Sequence, residues 1–232
     1  MARYLIIAAS SAIGQAVSEL LKQQGNEVLT TARNQDKIKP DFILDATDFD
    51  AVDKVFEQVG NLDGVVNCAG SLLLKSAHVT SFEEFQNTIN ASLTTSFAVI
   101  RAAGKRMRHG GSVVLISSAA ALTGLANHEA IAAAKAGIIG LAQSAAATYA
   151  SSNLRINVVA PGMVKTPLTA PLFSNELVAK VSISMHALGR AGEPVDVARA
   201  ILFFLNPSNN WITGQVLAVD GGLSAVRPKL KI

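Results

Sequence analysis

The sequence predicts one doubly wound α/β domain: a seven-stranded parallel sheet with helices on both faces. Seven short apolar runs recur along the chain, separated mostly by helical patterns. The runs are nearly continuous in hydrophobicity, which suits strands buried on both faces. The length, 232 residues with half of them hydrophobic, gives a single α/β domain a sizeable core. With 16% charged residues and a formal net charge of +3, neither disorder nor a nucleic-acid partner is expected.

The elements follow in order. RYLIIAA (3–9) reads as a buried strand, and residues 16–24 as part of an amphipathic helix that stops at Gly25. Further strands are expected at EVLTTA (27–32), FILDA (42–46), GVVNCA (64–69), SVVLISS (112–118), RINVVA (155–160) and QVLAVD (215–220). Only RNQDKIKPD joins the second strand to the third, shorter than a parallel crossover normally needs, so the helix there is expected to shrink to a turn. FEEFQNTINASLTTSFAVIRAAGKRMRHGG reads as one long helix ending in Lys105, Arg106, Arg108 and His109, cations that suit a negative helix end. The next helix, 129 to about 150, is alanine-rich and small or apolar almost all round. It needs burial on two sides. A partner copy on one side predicts a homodimer or homotetramer; cover from neighbouring loops is the alternative.

No repeat or linker divides the chain, so residues 1–232 are assigned to one domain. No apolar run is expected to span a bilayer. The lone Cys68 excludes an intrachain disulfide, and a short apolar run without a cleavage site opens the chain, so a cytoplasmic location and no membrane partner are expected. The tail RPKLKI (227–232) reads as a solvated end.

The chemistry begins at AASSAIGQAV (8–17). A strand, a tight turn and a helix set free amides and a positive dipole end beside any bound phosphate. Such turns use glycine where the chain bends and where pyrophosphate approaches. An ordinary strand-to-helix connection would read the same way.

The whole chain resembles the short-chain dehydrogenase/reductases, whose Rossmann-type turn reads Thr-Gly-x-x-x-Gly-x-Gly. Ile7, Ala8, Ala12 and Gly14 fill its four motif positions, so one of three glycines is kept. The resemblance implies dinucleotide contacts at Ser10, Ser11 and Ile13. VVNCAG (65–70) resembles the Asn-Asn-Ala-Gly strand end near the adenine ribose, implying Asn67, Ala69 and Gly70. DATD (45–48) resembles Asp-Val-x-Asp, implying that Asp45 faces the adenine and Ala46 supplies backbone contacts. RINVVAPGMVKTPL (155–168) resembles the segment whose Pro161-Gly162 turn passes under the nicotinamide, implying that Val164 and Thr166 hold the carboxamide. Residues 189–222 follow the family's C-terminal pattern nearly throughout.

Cofactor preference has a physical argument. Ala32 ends the second strand where NAD-preferring members carry an acid, and Arg33 follows. Without a carboxylate to repel a 2′-phosphate, and with a guanidinium to bind it, NADP(H) is favoured over NAD(H). An ordinary surface arginine is the alternative. No metal is called for.

At the catalytic centre the resemblance implies a carbonyl-orienting serine at Ser118 and a ribose-binding lysine at Lys135. The proton-donating tyrosine position, thirteen residues after Ser118 and four before Lys135, holds Ile131. Positions 131 and 135 share a helix face. The family's asparagine falls on Ser92. Isoleucine has no proton to give, which forgoes a factor of about a hundred to ten thousand. Tyr149 lies about 27 Å further along the same helix, and Tyr4 begins the first strand. His128 is the local substitute, with a solvent-exposed histidine as the other reading.

Residues 166–190 resemble the family's mobile substrate lid. Leu172, Phe173, Met185 and His186 suit an apolar small-molecule substrate, or pack the lid onto the core. Two functions follow: an NADP(H)-dependent carbonyl/alcohol oxidoreductase with impaired or altered proton donation, or a catalytically silent dinucleotide- or metabolite-binding protein with a regulatory or assembly role.

Overall fold

A computed structural model describes residues 1–228. The strands are β1 (Arg3–Ile7), β2 (Glu27–Ala32), β3 (Phe42–Ile43), β4 (Gly64–Asn67), β5 (Gly111–Ile116), β6 (Leu154–Pro161) and β7 (Val216–Val219). The helices are α1 (Ala12–Gln23), α2 (Phe49–Val59), α3 (Phe82–Ile89), α4 (Thr95–Arg106), α5 (Glu129–Tyr149), α6 (Ala170–Phe173), α7 (Glu176–Ser184) and α8 (Pro194–Leu205). All strands pair in parallel in the order β3-β2-β1-β4-β5-β6-β7. The expected seven-stranded, doubly wound domain is present. β3 is shorter than expected, because only Phe42 and Ile43 pair with β2.

Alternation along each strand sends successive side chains to opposite faces. Leu5, Ile7, Val65, Val113, Leu115, Ile156 and Val158 pack one way, against α2, α4 and α5. Tyr4, Ile6, Val66, Val114, Ile116 and Val159 pack the other way, against Val17 and Leu21 of α1 and Val197, Ile201 and Phe204 of α8. Both faces are buried, so the strands read as continuous apolar runs.

The short crossover between β2 and β3 holds no helix. Ile38 packs on the α1 side of the core in its place. The Asp41 carboxylate accepts from the Thr30 amide at 2.8 Å and the Thr30 hydroxyl at 2.7 Å, tying the crossover to β2.

The expected single helix from residue 82 onward is interrupted. A π turn, Asn90–Thr94, separates α3 from α4, and the Ser92 carbonyl there accepts from the Thr95 and Ser96 hydroxyls. Side-chain insertion of this kind bends helices. Two of the terminal cations do more than face a dipole: Lys105 and Arg106 both pair with Asp53 of α2.

α5 turns Ala134, Ile138, Ala142 and Ala145 inward and leaves Ala133, Ala136 and Gly140 exposed. Its last residue, Tyr149, lies over Gly104 of α4, where an added Cβ would meet the ring at 2.2 Å. Against the expectation of no spanning run, the stretch 129–152 is long and apolar enough to cross a membrane by length and composition. It is instead a core helix, packed against β6 and α4. The tail expected at 227–232 lies, from residue 229 on, outside the described residues.

The β1–α1 turn carries a local strain. Ala8 adopts φ 56°, the left-handed region, and is one of three non-glycine residues to do so among those described. A methyl there costs on the order of 1 kcal/mol relative to glycine. Gly14 is required for a different reason: a Cβ would lie 2.8 Å from the Ala9 Cα and 3.0 Å from the Ala8 carbonyl oxygen. Ala8→Gly is expected to raise the free energy of unfolding in urea by up to about 1 kcal/mol. An unchanged or lowered midpoint would show that the turn adopts its conformation without strain.

Candidate active site

Strand order reverses between β1 and β4, and a cavity of about 550 Å³ opens there at the carboxyl ends of the strands. This is where open α/β sheets place ligands, and the volume is that of a small-molecule site. Ser10, Ser11, Ala12 and Ile13 line it from the β1–α1 turn. Ser11 caps α1 by accepting from the Gly14 amide at 3.1 Å. The amides of Ala12 and Ile13 belong to the first turn of that helix and lack intrahelical partners. They present a positive helix end to the cavity.

Arg33 and Lys37 line the mouth beyond β2, and Asp45 and Ala46 line it beyond β3. Hydrogen bonds from the Thr47 amide and hydroxyl hold the Asp45 carboxyl below its usual range, and the nearby Arg33 adds to this. The residue after β2 and the residues after β3 therefore share one corner.

Ala69 and Gly70 line the cavity floor after β4. Asn67, expected among the cofactor contacts, does not reach it. It is buried, donating to the Thr95 and Ser96 hydroxyls and accepting from the Ala69 amide. Its part is to tie β4 to the start of α4. Ser92 is likewise enclosed and does not line the cavity. Its hydroxyl has no hydrogen-bond partner among the described residues and lies 3.9 Å from where a Cβ on Gly70 would stand.

Ser118, Ile131 and Lys135 come together at the inner end. Ser118 extends from β5, its hydroxyl accepting from the Ala120 amide at 3.2 Å. Ile131 and Lys135 are both buried on one face of α5. The Lys135 ammonium donates to the Ile116 carbonyl at 2.8 Å, and the Ser117 hydroxyl donates to the Lys135 carbonyl at 2.8 Å. Gly70 leaves room for this lysine, since a Cβ there would stand 3.2 Å from Nζ. Burial pushes the ammonium down to about 8, against the opposing influence of Cys68. Burial pushes the Cys68 thiol up to about 12, which leaves it unreactive at neutral pH.

His128 is not brought into this group. Its Nδ1 meets the Ala126 carbonyl at 2.7 Å, and the residue does not line the cavity. Tyr4 is buried in the core beneath α1 and α8, and Tyr149 covers Gly104, so neither tyrosine reaches Ile131.

Pro161, Gly162, Val164 and Thr166 line the side beyond β6, followed by Pro167, Leu168 and Thr169. Val164 bridges to Gly192, and the Thr169 hydroxyl donates to the Val164 carbonyl at 2.5 Å. The residues named for an apolar substrate, Leu172, Phe173, Met185 and His186, do not line the cavity; its apolar lining at that side comes from Leu72, Ile131 and Leu168 instead. Lys37, Ser117, Leu72 and Thr169 are lining residues that sequence reasoning did not single out. They sit in loops or at strand ends, where no periodicity marks an inward face. For Lys37 the only available signal was a second cation four residues after Arg33.

Comparison with known proteins agrees with this geometry. The family model described as enoyl-(acyl carrier protein) reductase matches residues 7–224. The 3-oxoacyl-(acyl-carrier-protein) reductase FabG of Thermotoga maritima is 34% identical, over 94% of this chain and 96% of its own. A short-chain type dehydrogenase/reductase from Mycobacterium ulcerans superposes with a TM-score of 0.89 at 30% identity, over 98% of this chain and 91% of its own. ElxO, solved with NADP bound, gives 0.88 at 30% identity over 96% of this chain and 99% of its own. A tyrosine-to-phenylalanine variant of ElxO is solved with NADPH bound. The chain belongs to the short-chain dehydrogenase/reductase family of oxidoreductases, which uses nicotinamide dinucleotides.

The buried ammonium makes stability depend on pH. The folded chain binds the Lys135 proton less tightly than the unfolded chain does. The cost of burying the charge is therefore full below about 8 and fades as pH rises from there towards the ordinary 10.5. Lys135→Met is expected to be more stable than the wild type at pH 7, by on the order of 3 kcal/mol at most, with the margin narrowing in alkali. A variant that melts below the wild type at pH 7 would show that the bond to Ile116 outweighs desolvation.

Proposed function

We propose that the chain binds NADP(H) in this cavity and transfers hydride between it and a carbonyl/alcohol pair, slowly, because proton donation is impaired. One observation carries the reading: Arg33 and Lys37 stand at the mouth where Ala32 supplies no carboxylate, while Ser118 and Lys135 line the inner end. The turn fits a dinucleotide in outline, since Ser11 caps α1 beside the cavity and Ala8 already holds the left-handed backbone that glycine normally supplies.

Bound NADPH would supply the hydride. Arg33 and Lys37 would hold its 2′-phosphate through charge-assisted hydrogen bonds. Ser118 would orient the substrate oxygen, and Lys135 would hold the nicotinamide ribose, its charge steadied by the Ile116 carbonyl. Ile131 donates no proton, so the oxygen must draw one from a less well placed source. ElxO, solved with NADP bound and, as a tyrosine-to-phenylalanine variant, with NADPH bound, supports the choice of dinucleotide.

The substrate is proposed to be small and apolar, as Leu72, Ile131 and Leu168 beside the site suggest. The small exposed face of α5 supports a homodimer or homotetramer, and the single cysteine, half-buried and with a raised thiol pKa, fits a cytoplasmic setting. The second reading, a silent dinucleotide- or metabolite-binding protein with a regulatory or assembly role, is favoured by Ile131 together with Ala8, Ala12 and Ser92 in place of the family's residues.

NADPH and NADH titrations followed by heat or fluorescence test the first reading. NADPH is expected to bind more tightly than NADH. Arg33→Ala should weaken NADPH by about ten- to a hundredfold, the range for charged hydrogen bonds, and leave NADH nearly unchanged. Absence of NADPH binding at millimolar concentration would overturn the proposal.

Ile131→Tyr is expected to raise reductase turnover on simple aldehydes or diketones by about a hundredfold or more. If NADPH binds and that variant gains nothing, the silent reading stands.

A further inference from the structure

The part of the segment after β6 that carries α6 and α7, residues 171–190, buries a single side chain. Neither α6 nor α7 contains a buried residue, and Leu177 and Val181 of α7 are exposed. Between residues 171 and 190 only His186 is buried, at 4% exposure. Its imidazole uses both nitrogens. Nδ1 meets the Ser182 carbonyl at 2.8 Å, one turn back on its own segment. Nε2 meets the backbone amide of Met163 at 3.0 Å, in the turn that leaves β6. A carbonyl only accepts and a backbone amide only donates. The two partners together require the neutral ring with its proton on Nδ1.

The surroundings are shaped to this ring. A Cβ on Gly162 would stand 2.7 Å from Nε2 and 2.9 Å from the Asp220 Cα, so Gly162 is where the ring and the turn after β7 interlock. The Asp220 carboxylate lies near the ring and is engaged by the Gly222 amide and by the amide and hydroxyl of Ser224. The Leu188 amide donates to the Gly221 carbonyl at 3.0 Å, and the Gly189 amide to the His186 carbonyl at 2.8 Å, closing the chain around the histidine. Pro161, Gly162 and Val164 line the cavity directly beside this knot.

We propose that His186 is a positioning residue: by accepting the Met163 amide it fixes the Pro161–Val164 turn, so that the 166–190 segment and the nicotinamide end of the site are held as one unit. This rests on the reading that the cavity takes NADP(H) with its nicotinamide over that turn. The adenosine end, at Arg33 and Asp45, is built by β2 and β3 and has no part in the knot.

That separation sets the test. NADPH and adenosine 2′,5′-bisphosphate, which lacks the nicotinamide half, are titrated into the wild type, His186→Leu and His186→Gln. His186→Leu is expected to bind NADPH about tenfold more weakly, the ratio that follows from losing one buried hydrogen bond. It should bind the bisphosphate within about twofold of the wild type. His186→Gln, whose amide oxygen can accept from Met163, is expected to recover most of the NADPH affinity. Equal NADPH affinity in wild type and His186→Leu, or a parallel loss of both ligands, would overturn the inference while leaving the cofactor reading intact. A wild type that binds no NADPH would remove both. Should His186→Leu fail to fold, hydrogen exchange of the wild-type Met163 amide decides: strong protection is expected, and its absence would overturn the inference.

Discussion

Everything in this protein depends on a parallel sheet that buries both faces. Leu5 and Ile6, adjacent in β1, enter two different cores, and the same alternation repeats through β4, β5 and β6. A sheet covered on both sides cannot present polar chemistry on a face. It can do so only at the carboxyl ends of the strands, where loops turn into helices and first-turn amides are unpaired. The reversal of strand order between β1 and β4 parts the loops at that end, and the cavity occupies the gap.

Within the cavity Ser118, Ile131 and Lys135 share one lining, and contacts from several elements hold them there. Asn67 ties β4 to α4, Ser117 ties the end of β5 to α5, and Gly70 clears the space that Lys135 fills. These contacts hold an ammonium in a dry place, where burial lowers its pKa. A structure that had drifted to a purely structural role would gain by replacing a buried lysine with an apolar side chain. Lys135 keeps that charge in the lining of the cavity, beside Ser118 and Ile131. Ile131, buried on the same helix face as Lys135, fills its position with apolar volume and leaves no polar hole there. Ser92 does leave a polar orphan, a buried hydroxyl without a hydrogen-bond partner among the described residues.

Much of the fold was legible in order. The strand runs and the stop at Gly25 are local signals, and the short crossover after β2 followed from counting residues. The π turn was not legible in the sequence pattern; it lies just before Thr95 and Ser96, whose hydroxyls accept from Asn67 of β4 and donate to the Ser92 carbonyl. The short β3 follows from a second tertiary fact, that only two residues find a partner on β2. Most of the cavity's lining followed motif by motif from the family pattern, but Asn67 and His128 show its limit. Asn67 lies in the right motif yet faces helix rather than cavity. His128 lies one turn from Ile131 in sequence yet is held aside by the Ala126 carbonyl.

The sequence by itself determined the fold class, the strand-by-strand burial pattern, the family, and the absence of a hydroxyl at position 131. These are encoded in local periodicity and in motif order. Only the tertiary structure decided which residues meet: that Lys37 joins Arg33, that Ala8 carries positive φ, that Lys135 loses its water, and that a histidine from the 166–190 segment grips the amide of Met163. The physical reason is common to all four. Desolvation and hydrogen-bond partnership depend on what packs from distant parts of the chain, and no local pattern states what will arrive there.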